Sequence, residues 1–143
     1  MTKVVIDASV ALAWCFPDEG NEYADKVLIA LEGISILVPA ICALEVTNAI
    51  LVGERAKRLS QPEILHFSML LQNLSLVQEV QPVDQDLTNV LPLACDHDLS
   101  AYAASYLDLS LRHNAPLATL DRKLRKAAQK AGAKLFTGAS DAR

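Results

Sequence analysis

Val4-Val5-Ile6 is a run of β-branched residues that ends abruptly in a carboxylate, Asp7. A continuous apolar run suits a strand buried on both faces of a parallel sheet, whereas an antiparallel sheet with one wet face would ask for alternation. Asp7 therefore marks a strand end. In open α/β sheets helices cover both faces, so the usable crevice lies beyond the carboxyl ends of the strands. Ser9 is placed to N-cap a helix carrying Ala11, Leu12 and Trp14. On this stretch alone, Asp7 either helps cap that helix or belongs to a site.

The same alternation continues along the chain. Residues 22–31 read as an amphipathic helix with Tyr23, Val27, Leu28 and Leu31 inward, stopped by Gly33, and 34–38 as a second strand closed by Pro39. Residues 42–57 return to helical spacing, with Ile41, Leu44, Glu45, Asn48, Leu51 and Val52 on one face, taken as the inward one. A carboxylate on the core side of a helix is costly unless paired, protonated or bound to a cation. Arg55, Lys57 and Arg58 lie two or more turns away from Glu45, so a functional role is favoured for it. Ser60 and Glu63 form a capping-box pattern ahead of a helix at 64–74 that is apolar almost all round, which suits the core or a contact with a second chain or a peptide.

A further strand is expected within 76–83, interrupted by Pro82, and then a helix from Asp84 carrying Leu87, Val90, Leu91 and Ala94. Ser100 reads as the N-cap of a helix on which Leu99, Tyr102, Ala103 and Tyr106 share a face. Residues 116–121 repeat the opening pattern of strand, hydroxyl and acid, with Asp121 capping a basic helix at 122–131 that Gly132 ends. An edge strand is expected at 134–136 and a frayed tail at 138–143. Five strand–helix alternations imply a three-layer α/β/α sandwich around a mainly parallel five-stranded sheet, in one domain over 1–137.

Composition narrows the class. Of the 143 residues 52% are apolar, enough for a full core. No apolar run approaches the ~18 residues of a membrane span and no signal-peptide pattern opens the chain, so a cytoplasmic protein is expected. Cys15, Cys42 and Cys95 are scattered among apolar neighbours and are expected to be buried free thiols. His66, His97 and His113 lack metal-ligand spacing. A net charge of −4 argues against holding nucleic acid by bulk charge. The acid-free basic run of Arg122, Lys123, Arg125, Lys126, Lys130 and Lys134 is either a solvated face or a local patch for RNA.

In such a sandwich Asp7 and Asp121 end strands on one rim, and Glu45 rides a helix that follows a strand, so it can reach the same rim. Converging carboxylates repel unless cations neutralise them, and an all-oxygen donor set suits Mg²⁺ or Mn²⁺. A site of this kind cleaves or transfers phosphate esters. At this point the chain resembles the PIN-domain ribonucleases, and within them the VapC-like toxins of toxin–antitoxin pairs. The resemblance rests on Val5-Ile6-Asp7-Ala8-Ser9, Leu44-Glu45-Val46-Thr47-Asn48, Leu99-Ser100-Ala101-Tyr102-Ala103 and Ala118-Thr119-Leu120-Asp121-Arg122-Lys123-Leu124, in that order.

The resemblance implies Mg²⁺- or Mn²⁺-dependent endonucleolytic cleavage of RNA, a homodimer, and inhibition by a small antitoxin that feeds a peptide into the acidic site, with higher assemblies through the antitoxin. It matches Asp7, Glu45 and Asp121 to metal-site acids, and Ser9, Asn48 and Thr119 to polar positions around them. One position departs: the family has an aspartate after the tyrosine of the late helix, and here stands Ala103. Weakened metal binding and reduced turnover follow. The competing reading is a PIN-like module that binds RNA or protein without catalysis; a phosphoacceptor receiver domain built on Asp7 would leave Glu45 without a role.

Overall fold

The computed structural model describes residues 2–138. Most of the expected tail, residues 139–143, lies outside the described residues. Four strands, β1 (Lys3–Ile6), β2 (Ser35–Pro39), β3 (Ser75–Glu79) and β4 (Leu117–Ala118), form one sheet in the order β3-β2-β1-β4, with every pair parallel. The apolar run at the start of the chain suits β1 because this strand is paired on both sides and buried on both faces; Val4, Val5 and Ile6 are wholly inaccessible. The expected fifth strand is reduced to a single parallel bridge between Leu135 and Leu117, flanked by Leu117 N–H donating to the Lys134 carbonyl and Phe136 N–H to that of Leu117, at 2.8 Å each. Phe136 is nonetheless fully buried.

Around the sheet run α1 (Ala8–Cys15), α2 (Glu22–Ala30), α3 (Ile41–Arg55), α4 (Gln61–Gln72), α5 (Val83–His97), α6 (Ala101–His113) and α7 (Arg122–Ala131), with a short 3₁₀ turn at Pro17–Glu19. Steps from β1 to β2 to β3 go one way across the sheet, while β4 lies on the far side of β1. With right-handed crossovers this puts α1 to α4 on one face and α5 to α7 on the other. The order reverses between β1 and β4, so the chain leaves these two strands towards opposite faces and opens a crevice at their ends. Strand register makes the ends flush: Ile6 pairs with Ala118, and the Asp7 N–H donates to the Ala118 carbonyl at 3.1 Å.

Several local expectations change. Asp7, not Ser9, is the N-cap of α1, its side chain accepting from the Val10 N–H; Ser9 lies inside the first turn. On α3 the buried face is Cys42, Val46 and Gly53, while Leu44 and Val52 are exposed, so Glu45 lies at the flank of the packed face and Asn48 in the open. Both stripes of α3 are apolar; on the inward one Gly53 lets the Phe16 ring close against the helix, which a larger side chain would prevent. Helix α4 begins with the expected capping box of Ser60 and Glu63 but buries only Phe67, leaving Leu65 and Met69 exposed. Cys15 and Cys42 are buried; Cys95 is exposed on α5. Strand β3 ends at Glu79, before Pro82, and is an exposed edge.

The approach at Gly53 can be tested. A Cβ at this position would lie 2.6 and 2.8 Å from Phe16 ring carbons. The ring cannot swing aside easily, since it is buried and covered by the Arg58 guanidinium at 4.5 Å, itself held by Asp18 and Glu19. Alanine gains about 1 kcal/mol of helix propensity over glycine, but overpacking costs typically ~1–3 kcal/mol. Gly53→Ala should therefore lower the midpoint of chemical denaturation; a raised midpoint would mean the ring yields freely.

Candidate active site

Asp7 is 5% exposed, unusually buried for a carboxylate. Both of its oxygens are engaged: Ser9 Oγ donates to Oδ1 at 2.6 Å and Thr119 Oγ1 to Oδ2 at 2.5 Å. Each hydroxyl also accepts a backbone N–H from the β4–α7 turn, Ser9 from Leu120 at 2.9 Å and Thr119 from Asp121 at 3.0 Å. The two hydroxyls thus stitch the end of β1 to the end of β4 through one carboxylate. Burial is the largest influence on Asp7 and raises its pKa above the usual carboxylate value; the hydrogen bonds from Ser9, Thr119 and the Val10 N–H oppose the rise, and the charge of Asp121 adds to it. That last influence places the two acids within electrostatic reach of one another.

Asp121 is exposed and caps α7, accepting from the N–H groups of Lys123 and Leu124. Glu45 approaches from α3, and its Oε1 accepts from the Tyr106 hydroxyl of α6 at 2.5 Å. One turn before Glu45, the Cys42 thiol is pushed up to about 11, first by burial and then by the charges of Glu45 and Asp7, with a hydrogen bond to Tyr106 opposing. The first turn of α3 therefore faces the end of β1. Ala103 lies in the first turn of α6, one turn before Tyr106, its N–H donating to the Ser100 hydroxyl at 3.1 Å. The Asn48 side chain is exposed and makes no hydrogen bond to any described residue.

The basic helix divides. Arg125 turns back: its Nη2 donates to the Thr119 carbonyl at 2.9 Å and its guanidinium lies 5.5 Å from the centre of the Tyr23 ring. Lys123 has a loose, solvent-exposed pairing with Asp98 at 3.3 Å. Arg122 and Lys126 are exposed and carry no ion pair among the described residues. Residue type and spacing could not separate Arg125 from its neighbours, because its partners are a backbone carbonyl just past β4 and the ring of Tyr23 on α2. Tyr106 is likewise unmarked in the sequence, where it reads as one more apolar-face residue of α6.

Carboxylate and hydroxyl oxygens are donors for hard cations such as Mg²⁺ or Mn²⁺ and poor ones for zinc. Among the described residues no three His, Cys, Asp or Glu side chains lie close enough together to enclose an ion. Mg²⁺ requires less than that, being held through one or two carboxylates with several waters retained, and the donor set fits an ion bound in this way.

A family model described as PIN domain matches residues 4–130. The chain belongs to the PIN domain family. This PIN domain is 28% identical over 122 residues to Ribonuclease VapC3 of Pyrobaculum aerophilum, across 85% of the chain and 92% of that relative. Its fold is similar to the crystal structure of PAE2754 from Pyrobaculum aerophilum, with a TM-score of 0.65 at 24% identity, covering 88% of this chain and 79% of the other. It is also similar to the crystal structure of FitAcB from Neisseria gonorrhoeae, with a TM-score of 0.61 at 19% identity, covering 93% and 96%. At these identities the two structures establish the fold, as expected from the strand and helix pattern.

Buried and raised, Asp7 makes stability pH-dependent. As pH climbs, the unfolded chain gives up this proton near the ordinary value of about 3.9, while the native state keeps it longer, so stability falls between that value and the raised native one. Asp7→Asn should thus unfold at higher denaturant than the parent at pH 7, and the gap should close as pH drops below the ordinary aspartate range. A variant less stable at pH 7 would show that the hydroxyl bonds outweigh desolvation.

Proposed function

We propose that this PIN domain is an endoribonuclease dependent on Mg²⁺ or Mn²⁺, the toxin of a toxin–antitoxin pair, neutralised by a small antitoxin protein. The observation that carries the reading is the Asp7 network: it ties the end of β1 to the turn that bears Asp121 at the reversal of strand order, and the charges of Asp7 and Glu45 both act on Cys42 at the start of α3. The ribonuclease named among its relatives supports the substrate class.

In this reading Asp7, Glu45 and Asp121 would share the cation, one or two of them binding it directly and the rest through the waters it retains. When bound, such an ion activates a water, orients the scissile phosphate and stabilises the leaving oxygen. The protein's own contribution is placement. Ser9 and Thr119 keep Asp7 immobile, and Arg122 and Lys126, with the loosely held Lys123, draw the phosphate backbone to a rim whose net charge would otherwise repel it. Arg125 serves the turn instead of the RNA. The protein works in the cytoplasm as a homodimer, and larger assemblies form through the antitoxin; no described helix is long and apolar enough to cross a membrane.

Ala103 is the weak point, because it stands one turn before Tyr106, which holds Glu45, where the resemblance expects a further metal-site carboxylate. Turnover in the present chain is accordingly low, which is also what a PIN-like module that binds RNA without cleaving it would display. Ala103→Asp separates the two: it should raise Mn²⁺-dependent cleavage of a mixed RNA pool at least tenfold, about 1.4 kcal/mol of barrier, and chelation should abolish the gain. Equal cleavage before and after the change would favour the binding module.

A further inference from the structure

The Tyr106 hydroxyl joins two helices that have few other contacts, α6 and α3. Tyr106 is 2% exposed and Glu45 only half-buried. A buried phenol requires an acceptor, but any backbone carbonyl would serve; here the acceptor is the tip of a long, flexible side chain. Held at Oε1, Glu45 gives up much of the rotamer freedom such a side chain has, and its other oxygen, Oε2, has no hydrogen bond among the described residues. Residues 103 and 106 are one turn apart on α6 and share a face. With alanine at 103, what α6 contributes to the rim passes through the tyrosine.

We propose that Tyr106 is a positioning residue for the metal site: its hydroxyl fixes the Glu45 carboxylate through Oε1 and leaves Oε2 available to a cation. The inference rests on the proposed function. Hydrogen-bond partners of metal-ligating carboxylates typically change metal affinity by about 10- to 100-fold when removed, and a loss of that size is expected here.

Mn²⁺ alone, without RNA, is titrated by calorimetry and electron paramagnetic resonance into the Ala103→Asp chain and into the same chain carrying Tyr106→Phe, Glu45→Gln or both. Phenylalanine keeps the ring that the core requires, and thermal melts check that each variant is folded. Tyr106→Phe should weaken Mn²⁺ binding at least ~10-fold, and adding it to Glu45→Gln should weaken binding no further, since the tyrosine acts only through that carboxylate. A purely structural tyrosine would leave Mn²⁺ binding unchanged or give losses that add. If Glu45→Gln weakens binding and Tyr106→Phe does not, the inference falls alone. If the Ala103→Asp chain binds no Mn²⁺, or Glu45→Gln changes nothing, the metal-site reading falls and takes this inference with it.

Discussion

The structure depends on a carboxylate placed where carboxylates are disfavoured. Asp7 is nearly inaccessible, caps α1 through the Val10 N–H, and receives a hydroxyl on each oxygen. Without those partners the desolvation cost would be prohibitive. With them, one charged group ties together the N-terminus of a helix and the ends of two strands that come from opposite ends of the chain. The same hydrogen bonds orient Ser9 and Thr119, and through Thr119 the backbone of Asp121.

Such rigidity has a thermodynamic cost. Burial dominates the Asp7 environment even after its hydrogen bonds are counted, so the ionised acid works against folding at neutral pH. Sites that must hold charge ready for a ligand commonly carry this conflict with stability. The nearby charge of Asp121 deepens it, and a cation would relieve it. In the reading proposed above, a cation is what would offset the buried charge of Asp7 at the reversal of strand order.

Beyond that pair the rim is assembled from less committed parts. Glu45 is held by Tyr106, and Arg125 stacks towards Tyr23 while binding the Thr119 carbonyl. The first joins two helices that lie far apart in the chain, and the second holds α7 to the turn that bears Asp121. They are supports, and they divide the basic helix into a side chain that braces the protein and others that remain available at the surface.

How much of this was legible beforehand differs by level. Strand and helix order, the capping roles of Ser60, Ser100 and Asp121, and the positions of acids at strand ends follow from local patterns, because a continuous apolar run, a cap and a helical period are properties of neighbouring residues. Which face of α3 turns inward could not be read that way, since both of its stripes are apolar and the inward one packs Gly53 against Phe16, the residue that ends α1. The capping of α1 by Asp7 rather than Ser9, the exposure of α4, the shrinking of the last strand to one bridge, the partner of Tyr106 and the approach of Arg125 to the Tyr23 ring were decided by tertiary structure. Each depends on what an element from elsewhere in the chain brings into reach, and local spacing carries no information about that.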